Sequence, residues 1–215
     1  AQTNLLNELA DKIAGLLPTL NEDERRVSAT IYRLLAEGSP VPSEKIAKTL
    51  NMPLDVVKNI LDGWPGVYYN DAGHIIGYWG LTTQQMGHGF EVDGKELYAW
   101  CAWDTLFMPG IIGKTATVTS SCPVTKEKIR LTVGPDGIRA AEPAEVYVSF
   151  VTPDAGKFRE DVINSFCHLI YFFSSWEAAS SWASEHEETI ILTLDEAFEL
   201  GRRKNETQYK DILGG

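Results

Sequence analysis

Positive charge is scarce in this chain. There are 19 Lys and Arg against 30 Asp and Glu, a formal net charge of −11, and no dense cationic block. Its long-range field therefore repels phosphate backbones and anionic lipid, and neither nucleic acid nor a membrane surface is expected as a partner. Long apolar runs are missing too. The N-terminal stretch AQTNLLNELADKIAGLLPTL has no basic leader before an apolar block, and nothing in the sequence is long enough to cross a bilayer. A cytoplasmic protein is the expectation. Three cysteines are too few, and odd in number, for a disulfide framework, so reduced thiols are expected. The four histidines, His74, His88, His168 and His186, are scattered, without HExxH or CxxC spacing, which argues against a preformed zinc site. GxSxG, P-loop and dinucleotide fingerprints are likewise absent, and Gly87-His88-Gly89 reads as a loop.

What is present divides into two parts. Leu5, Leu6, Leu9, Ile13, Leu16 and Leu17 repeat at helical spacing up to Pro18, and Val27, Ile31, Leu34 and Leu35 give a second amphipathic helix before Gly38. Ser43 is a candidate N-cap for a short helix carrying Ile46, Ala47 and Leu50, and LDVVKNILDG is another. VYYNDAGHIIGYWG then reads as a hairpin turning at Asn70, Asp71 and Gly73. That order is the winged-helix order. The would-be recognition helix, however, sets Asp55 and Asp62 against Lys58 alone, a poor instrument for reading base edges and phosphates. After about residue 80 strands dominate: GFEVDGKELYAW with a central Asp-Gly turn, TATVTSS, KIRLTV and EVYVSFV, with Pro135-Asp136-Gly137 as the turn between the last two. WEAASSWASEH reads as helix, TIILTL as strand and DEAFELGRRKNETQYKDIL as a final helix. The fold class predicted is α+β: a winged-helix-like helical domain over 1–80 packed on a mixed or antiparallel sheet domain with helices over 81–215.

Chemistry is left to the thiols Cys101, Cys122 and Cys167. Each alone reads as packing, because a free cysteine behaves as a small hydrophobe. Context separates them. In LYAWCAWDTLFMPG, Asp104 lies three positions after Cys101, near enough on a turn or helix to share a site, and an ionisable group in so apolar a run needs a reason. In FREDVINSFCHLIYFF, Cys167 opens an apolar run after a polar approach, as at the mouth of a pocket. Should the fold bring Cys167 to Cys101, two soft thiolates would stand beside a carboxyl, a set that selects soft ions such as Cu(I) or Hg(II). Spacing alone leaves three readings open: an enzyme, a thiol carrier that holds Hg or Cu without turnover, and a metal-responsive DNA-binding regulator. A cysteine hydrolase is disfavoured, since no histidine is visibly paired with either thiol.

LYAWCAWDTL, GKTATVTSSCPVT and SFCHLIYFF, in this order after a winged-helix-like region, closely resemble the organomercurial lyase (alkylmercury lyase) family of bacterial mercury resistance. The resemblance implies that Cys101, Asp104 and Cys167 fall on the catalytic cysteine, aspartate and second cysteine, the same three residues holding Hg(II), and that Cys122 is structural. Some relatives carry a further cysteine after the last of these, where this chain has His168. It further implies protonolysis of carbon–mercury bonds, with Cys101 capturing R–Hg⁺, Cys167 adding second and Asp104 returning a proton to carbon. No organic cofactor is expected. Organomercury compounds, small thiols as co-reactants and mercuric reductase are the implied partners, and an apolar pocket implies tolerance of alkyl and aryl groups.

Overall fold

The computed structural model describes residues 2–151, 161 and 166–213. Four helices open the chain: α1 (Gln2–Leu16), α2 (Glu22–Leu35), α3 (Ser43–Leu50) and α4 (Leu54–Asp62). The start of α2 is fixed by a capping box, in which Asn21 accepts from the Glu24 amide while the Glu24 carboxylate takes the Asn21 amide. Ser43, expected as an N-cap, is instead the first helical residue of α3, with Pro42 in the cap position and no side-chain cap bond. Pro42, with φ fixed at −70°, presets the entry into the helix, and its carbonyl accepts the Lys45 amide at 3.0 Å.

The hairpin follows as β1 (Val67–Tyr69) and β2 (Ile75–Tyr78), antiparallel as predicted. It does not stand alone. β3 (Leu81–Thr82), β4 (His88–Val92), β5 (Lys95–Ala99), β6 (Ala116–Ser121), β7 (Lys128–Val133) and β8 (Ile138–Glu142) join it in one sheet of order β1-β2-β3-β5-β4-β6-β7-β8. Every pairing in that sheet is antiparallel. Two expectations are corrected here. His88 is in β4, paired with Ala99, rather than in a loop; its glycine neighbours signalled a turn, but Phe90 and Val92 continue the buried face inward from it. The Pro135-Asp136-Gly137 turn leads into β8, a strand missed because IRAAE is a half-exposed edge with no apolar alternation.

A second sheet, β10-β9-β11, comprises β9 (Tyr147–Phe150), β10 (Phe172–Phe173) and β11 (Ile190–Thr193). Helix α5 (Asp104–Ile112) follows β5 directly, α6 (Trp176–Ala183) follows β10, and α7 (Leu194–Tyr209) closes the chain, followed by a 3₁₀ turn over Lys210–Leu213. Thr193 caps α7 with Glu196 in a second capping box. The mixed α+β class is as expected. Among the described residues no helix is long and apolar enough to cross a membrane.

The centre of the molecule is the contact of α5 with α7. Helix α5 is apolar all round, and eight of its nine residues are buried, as befits a helix enclosed on every side. Helix α7 is polar in sequence, yet one side of it faces inward. Gly201 makes this possible: a Cβ there would lie 2.8 Å from Phe107 Cβ, so only glycine lets the two helices approach so closely. Asn205 Nδ2 then donates to the Phe107 carbonyl at 2.9 Å and Trp103 Nε1 to the Ala197 carbonyl at 2.9 Å, tying both ends of the contact.

Candidate functional site

The end of β5 runs straight into α5, and Cys101 and Asp104 sit at that junction. Trp100 extends the strand by one bond, its amide donating to the Gly80 carbonyl at 2.9 Å. The chain then turns, and Asp104 becomes the first residue of α5. From there its Oδ2 reaches back to accept the Cys101 amide at 3.0 Å. A carboxylate in a first helical turn is also favoured by the partial positive charge of the helix N-terminus. The three-residue spacing seen in the sequence thus becomes a direct contact.

Cys167 arrives from the other sheet, on a 3₁₀ turn over Cys167–Leu169. Buried Ser149 of β9 holds this turn. Its Oγ donates to the Leu169 carbonyl at 2.7 Å and accepts the Tyr171 amide at 2.8 Å, while its own amide bonds the Tyr171 carbonyl at 3.1 Å. Most of the polar approach to Cys167, residues 158–165, lies outside the described residues. The result is that Cys101, Asp104 and Cys167, all buried, present ligand atoms within 4.8 Å of one another. The two thiols are near enough to shift each other's titration.

The environment favours the protonated forms of all three. Burial raises Asp104 from the usual 3.8 to about 7, against the pull of the Cys101 thiol and amide donors and the positive field of Lys204. Burial first, and then the Cys167 and Asp104 neighbours, push the Cys101 thiol well above its ordinary value. For Cys167 the Cys101 thiol pulls down, but burial and the charges of Asp104 and Asp161 outweigh it and leave a raised value. Among the described residues this is the cluster able to hold a soft metal ion.

Cys122 stands apart, at the end of β6. Burial would raise its thiol, but hydrogen bonds involving Thr125 and Ser174 prevail and bring it down to about 7. Thr125 and Ser174 also bond each other at 2.9 Å, so the cysteine belongs to the knot that fastens the β6–β7 turn. His168, next to Cys167, is not in the cluster.

An aromatic shell surrounds the cluster. Trp103 packs edge-on against Phe107, Phe150 and Phe166 at ring-centroid distances of 5.1, 5.3 and 6.1 Å, and Trp100 against Tyr68 at 5.3 Å. Inside it is a cavity of about 50 Å³ bordered by Cys167, Asp104, Trp100, Trp103 and Phe107. Residues before position 81 also line it, among them Leu20, Tyr32, Trp64 and Tyr78.

Three contributors went unnoticed in the sequence. Ser149 sits in an apolar strand without any motif. Gly80 packs against Asp104 so closely that a Cβ on it would fall 2.6 Å from Asp104 Cγ. Lys204 borders the same cavity from α7, 8% exposed, its Nζ 4.1 Å from the Phe107 ring centre and bonded to Gln208 Oε1 at 2.6 Å. Burial draws its pKa from 10.5 down to about 7, with Asp104 pulling the other way.

The family model for alkylmercury lyase matches residues 81–205, a span containing Cys101, Asp104 and Cys167. An alkylmercury lyase of Staphylococcus epidermidis is 45% identical over 172 residues, covering 80% of this chain and 78% of its own. One of Pseudomonas putida is 43% identical over 192 residues, covering 88% and 89% respectively. The crystal structure of the mercury-bound form of MerB2 has the same fold, with a TM-score of 0.76, 23% identity, and coverage of 94% of this chain and 99% of that one.

Proposed function

The chain belongs to the alkylmercury lyase family, and on that premise we propose that Cys101, Asp104 and Cys167 carry out its cleavage of carbon–mercury bonds. The observation that supports these roles most directly is the meeting of two thiols and one carboxyl within 4.8 Å, inside an apolar cavity. A carbon–mercury bond is only weakly polar. Its protonolysis requires electron density pushed onto carbon and a proton delivered there, and this set supplies both.

The substrate enters as R–Hg–SR′, mercury bound to a small thiol. Cys167 borders the cavity, which favours first capture there rather than at Cys101 as the resemblance implied. Sulfur exchanges for sulfur: Cys167 bonds mercury, and its proton leaves on R′SH. Cys101 then adds, giving its proton to the Asp104 carboxylate, which lies within 4.8 Å of its sulfur. With two thiolates on mercury the carbon becomes basic, and Asp104 passes it that same proton. Hydrocarbon departs, and neutral Hg(II) dithiolate remains. A carboxyl titrating at about 7 suits this relay, since it both accepts and donates a proton at neutral pH.

The scheme needs no organic cofactor. Free thiols, or a mercuric reductase, would take up the Hg(II), and a reducing cytoplasm suits three free cysteines. The order of α2, α3, α4, β1 and β2 supports a winged-helix-like unit over residues 1–80, with 81–215 as the catalytic part. Leu20, Tyr32, Trp64 and Tyr78 on the cavity wall support a covering role for that unit rather than DNA reading. The apolar and aromatic lining of the cavity suits alkyl and aryl groups.

Reduced protein with excess 2-mercaptoethanol and methylmercury is expected to release methane, measured by gas chromatography. Cys101→Ser and Cys167→Ser are each expected to reduce the release by roughly a hundredfold or more, as loss of a reacting group does. One equivalent of mercury bound by the wild type without methane would sink the lyase reading and leave a carrier.

A further inference from the structure

The reaction scheme uses two thiols and a carboxyl, and leaves a buried cation in the same cavity unused. Lys204 is on the inward side of α7, between Arg202, Arg203 and Asn205, which have their own partners: Arg202 and Arg203 bond Glu199, and Asn205 bonds the Phe107 carbonyl. Lys204 has no acid in contact with it; Asp104, on the same cavity, acts on it only through its field. Among the described residues no carboxylate comes within ion-pair distance of its ammonium, whose hydrogen bond goes to the neutral Gln208 amide. The rings of Phe107 and Tyr209 lie beside it, with centroids 4.1 and 5.7 Å from Nζ.

An ammonium group has three donors, and one of them suffices for Gln208. Burying a charge without an opposite one in contact is costly, and the ring faces and the field of Asp104 offset only part of that cost. Simple packing does not call for it either, since a methionine would fill the same apolar space. Lys204 borders the cavity that admits the substrate, and a bound anion there would complete its set of acceptors.

Resting on the lyase reading, we propose that Lys204 is a specificity-determining residue that receives a carboxylate carried into the cavity on the mercury compound, either on its organic group or on the small thiol bound to it. The negative charge of the whole chain works against such a preference at long range. Any preference observed is therefore local.

Two substrate comparisons separate the sources. For the thiol, ethylmercury is supplied in excess mercaptoacetate or in excess 2-mercaptoethanol. For the organic group, 2-carboxyethylmercury is compared with ethylmercury, both in 2-mercaptoethanol. In at least one comparison the wild type is expected to show a KM roughly tenfold lower for the carboxylate form, the scale of one charge-assisted hydrogen bond. Lys204→Met should shrink the ratio to below about twofold, while Lys204→Arg keeps most of it, and propionate should compete with the substrate where n-propanol does not. Propionate competition and the two wild-type ratios need no variant, so a folding defect in Lys204→Met leaves the proposal exposed to test. Equal KM values in both comparisons, or a ratio unchanged in folded Lys204→Met, would overturn it. No hydrocarbon from any of these compounds would instead refute the lyase reading itself.

Discussion

Asp104→Asn is expected to stop hydrocarbon release while leaving mercury capture largely intact. Asparagine keeps the shape of the side chain and an oxygen for the Cys101 amide, but can neither take the Cys101 proton nor return it to carbon. General acid–base catalysis by one positioned group is worth about 10²–10⁴ in rate, and a loss in that range is expected in single-turnover methane release. Mercury bound per protein should stay near stoichiometric, because both thiols remain. Should methane release persist within a few-fold of wild type, the proton comes from elsewhere and the relay fails.

The same substitution should stabilise the protein, with a sign fixed by the pKa shifts. Asp104 titrates at about 7 in the fold against 3.8 ordinarily, so between these values the folded state holds a proton that the unfolded chain has lost. Stability attributable to this group therefore falls as pH rises from about 4 to about 7 and is flat above. Lys204 acts on the other side. Its pKa is lowered from 10.5 to about 7, so the unfolded chain binds the extra proton in that window and stability rises with pH through it. The two together place a trough near neutrality. Asp104→Asn removes the acidic limb and, by removing the charge that holds Lys204 up, extends the alkaline limb to lower pH. At about 1.4 kcal/mol for each pH unit, an increase of about 1–3 kcal/mol at pH 7 is expected in urea melts. A variant that melts no later than wild type at pH 7 would contradict the raised Asp104 value.

How much of this site was visible beforehand follows from the range of each interaction. Cys101 and Asp104 could be paired from the sequence because three residues span one turn, and the bond at 3.0 Å is of that local kind. Cys167 could not be brought to them by any spacing rule. Its position depends on Ser149 fastening residues 169–171 to β9, a contact across 20 residues with no compositional signal. Lys204 was hidden by its company. In GRRKNE it looks like part of a solvated helix face, and only the glycine at 201, by letting α7 close on Phe107, turns that face toward the core. Elements with strong periodicity or turn residues, such as α2 and the β4–β5 hairpin, were legible, whereas β8 and the helical state of α5 were not. Helix α5 is buried all round and so has no amphipathic period to read.

Gly80→Ala should cost nearly as much activity as changing Asp104, although Gly80 carries no reactive group. Its φ of +105° lies where side chains are rarely tolerated, and an added Cβ would sit 2.6 Å from Asp104 Cγ and 2.9 Å from Oδ1. Something has to yield. The backbone on the Gly80 side is held by the Trp100 amide at 2.9 Å and by the β2–β3 and β3–β5 pairings on either side. The carboxylate is held by one hydrogen bond to the Cys101 amide and contact with the Cys101 thiol, so Asp104 is the weaker party and is expected to move. Displacement by about an ångström takes the carboxyl out of reach of the reacting carbon, and misplacement of that size can cost about a hundredfold. The expected result is a drop of roughly a hundredfold in methane release, with mercury still bound and a loss of about 1–3 kcal/mol in urea stability from backbone strain and overpacking. A double variant, Gly80→Ala with Asp104→Asn, distinguishes a positioning effect from a general weakening of the fold. If glycine acts only by leaving room for the carboxyl, adding Gly80→Ala to Asp104→Asn should lower the residual rate by less than about threefold. Full additivity of the two losses would mean that Gly80 supports catalysis by a route independent of Asp104.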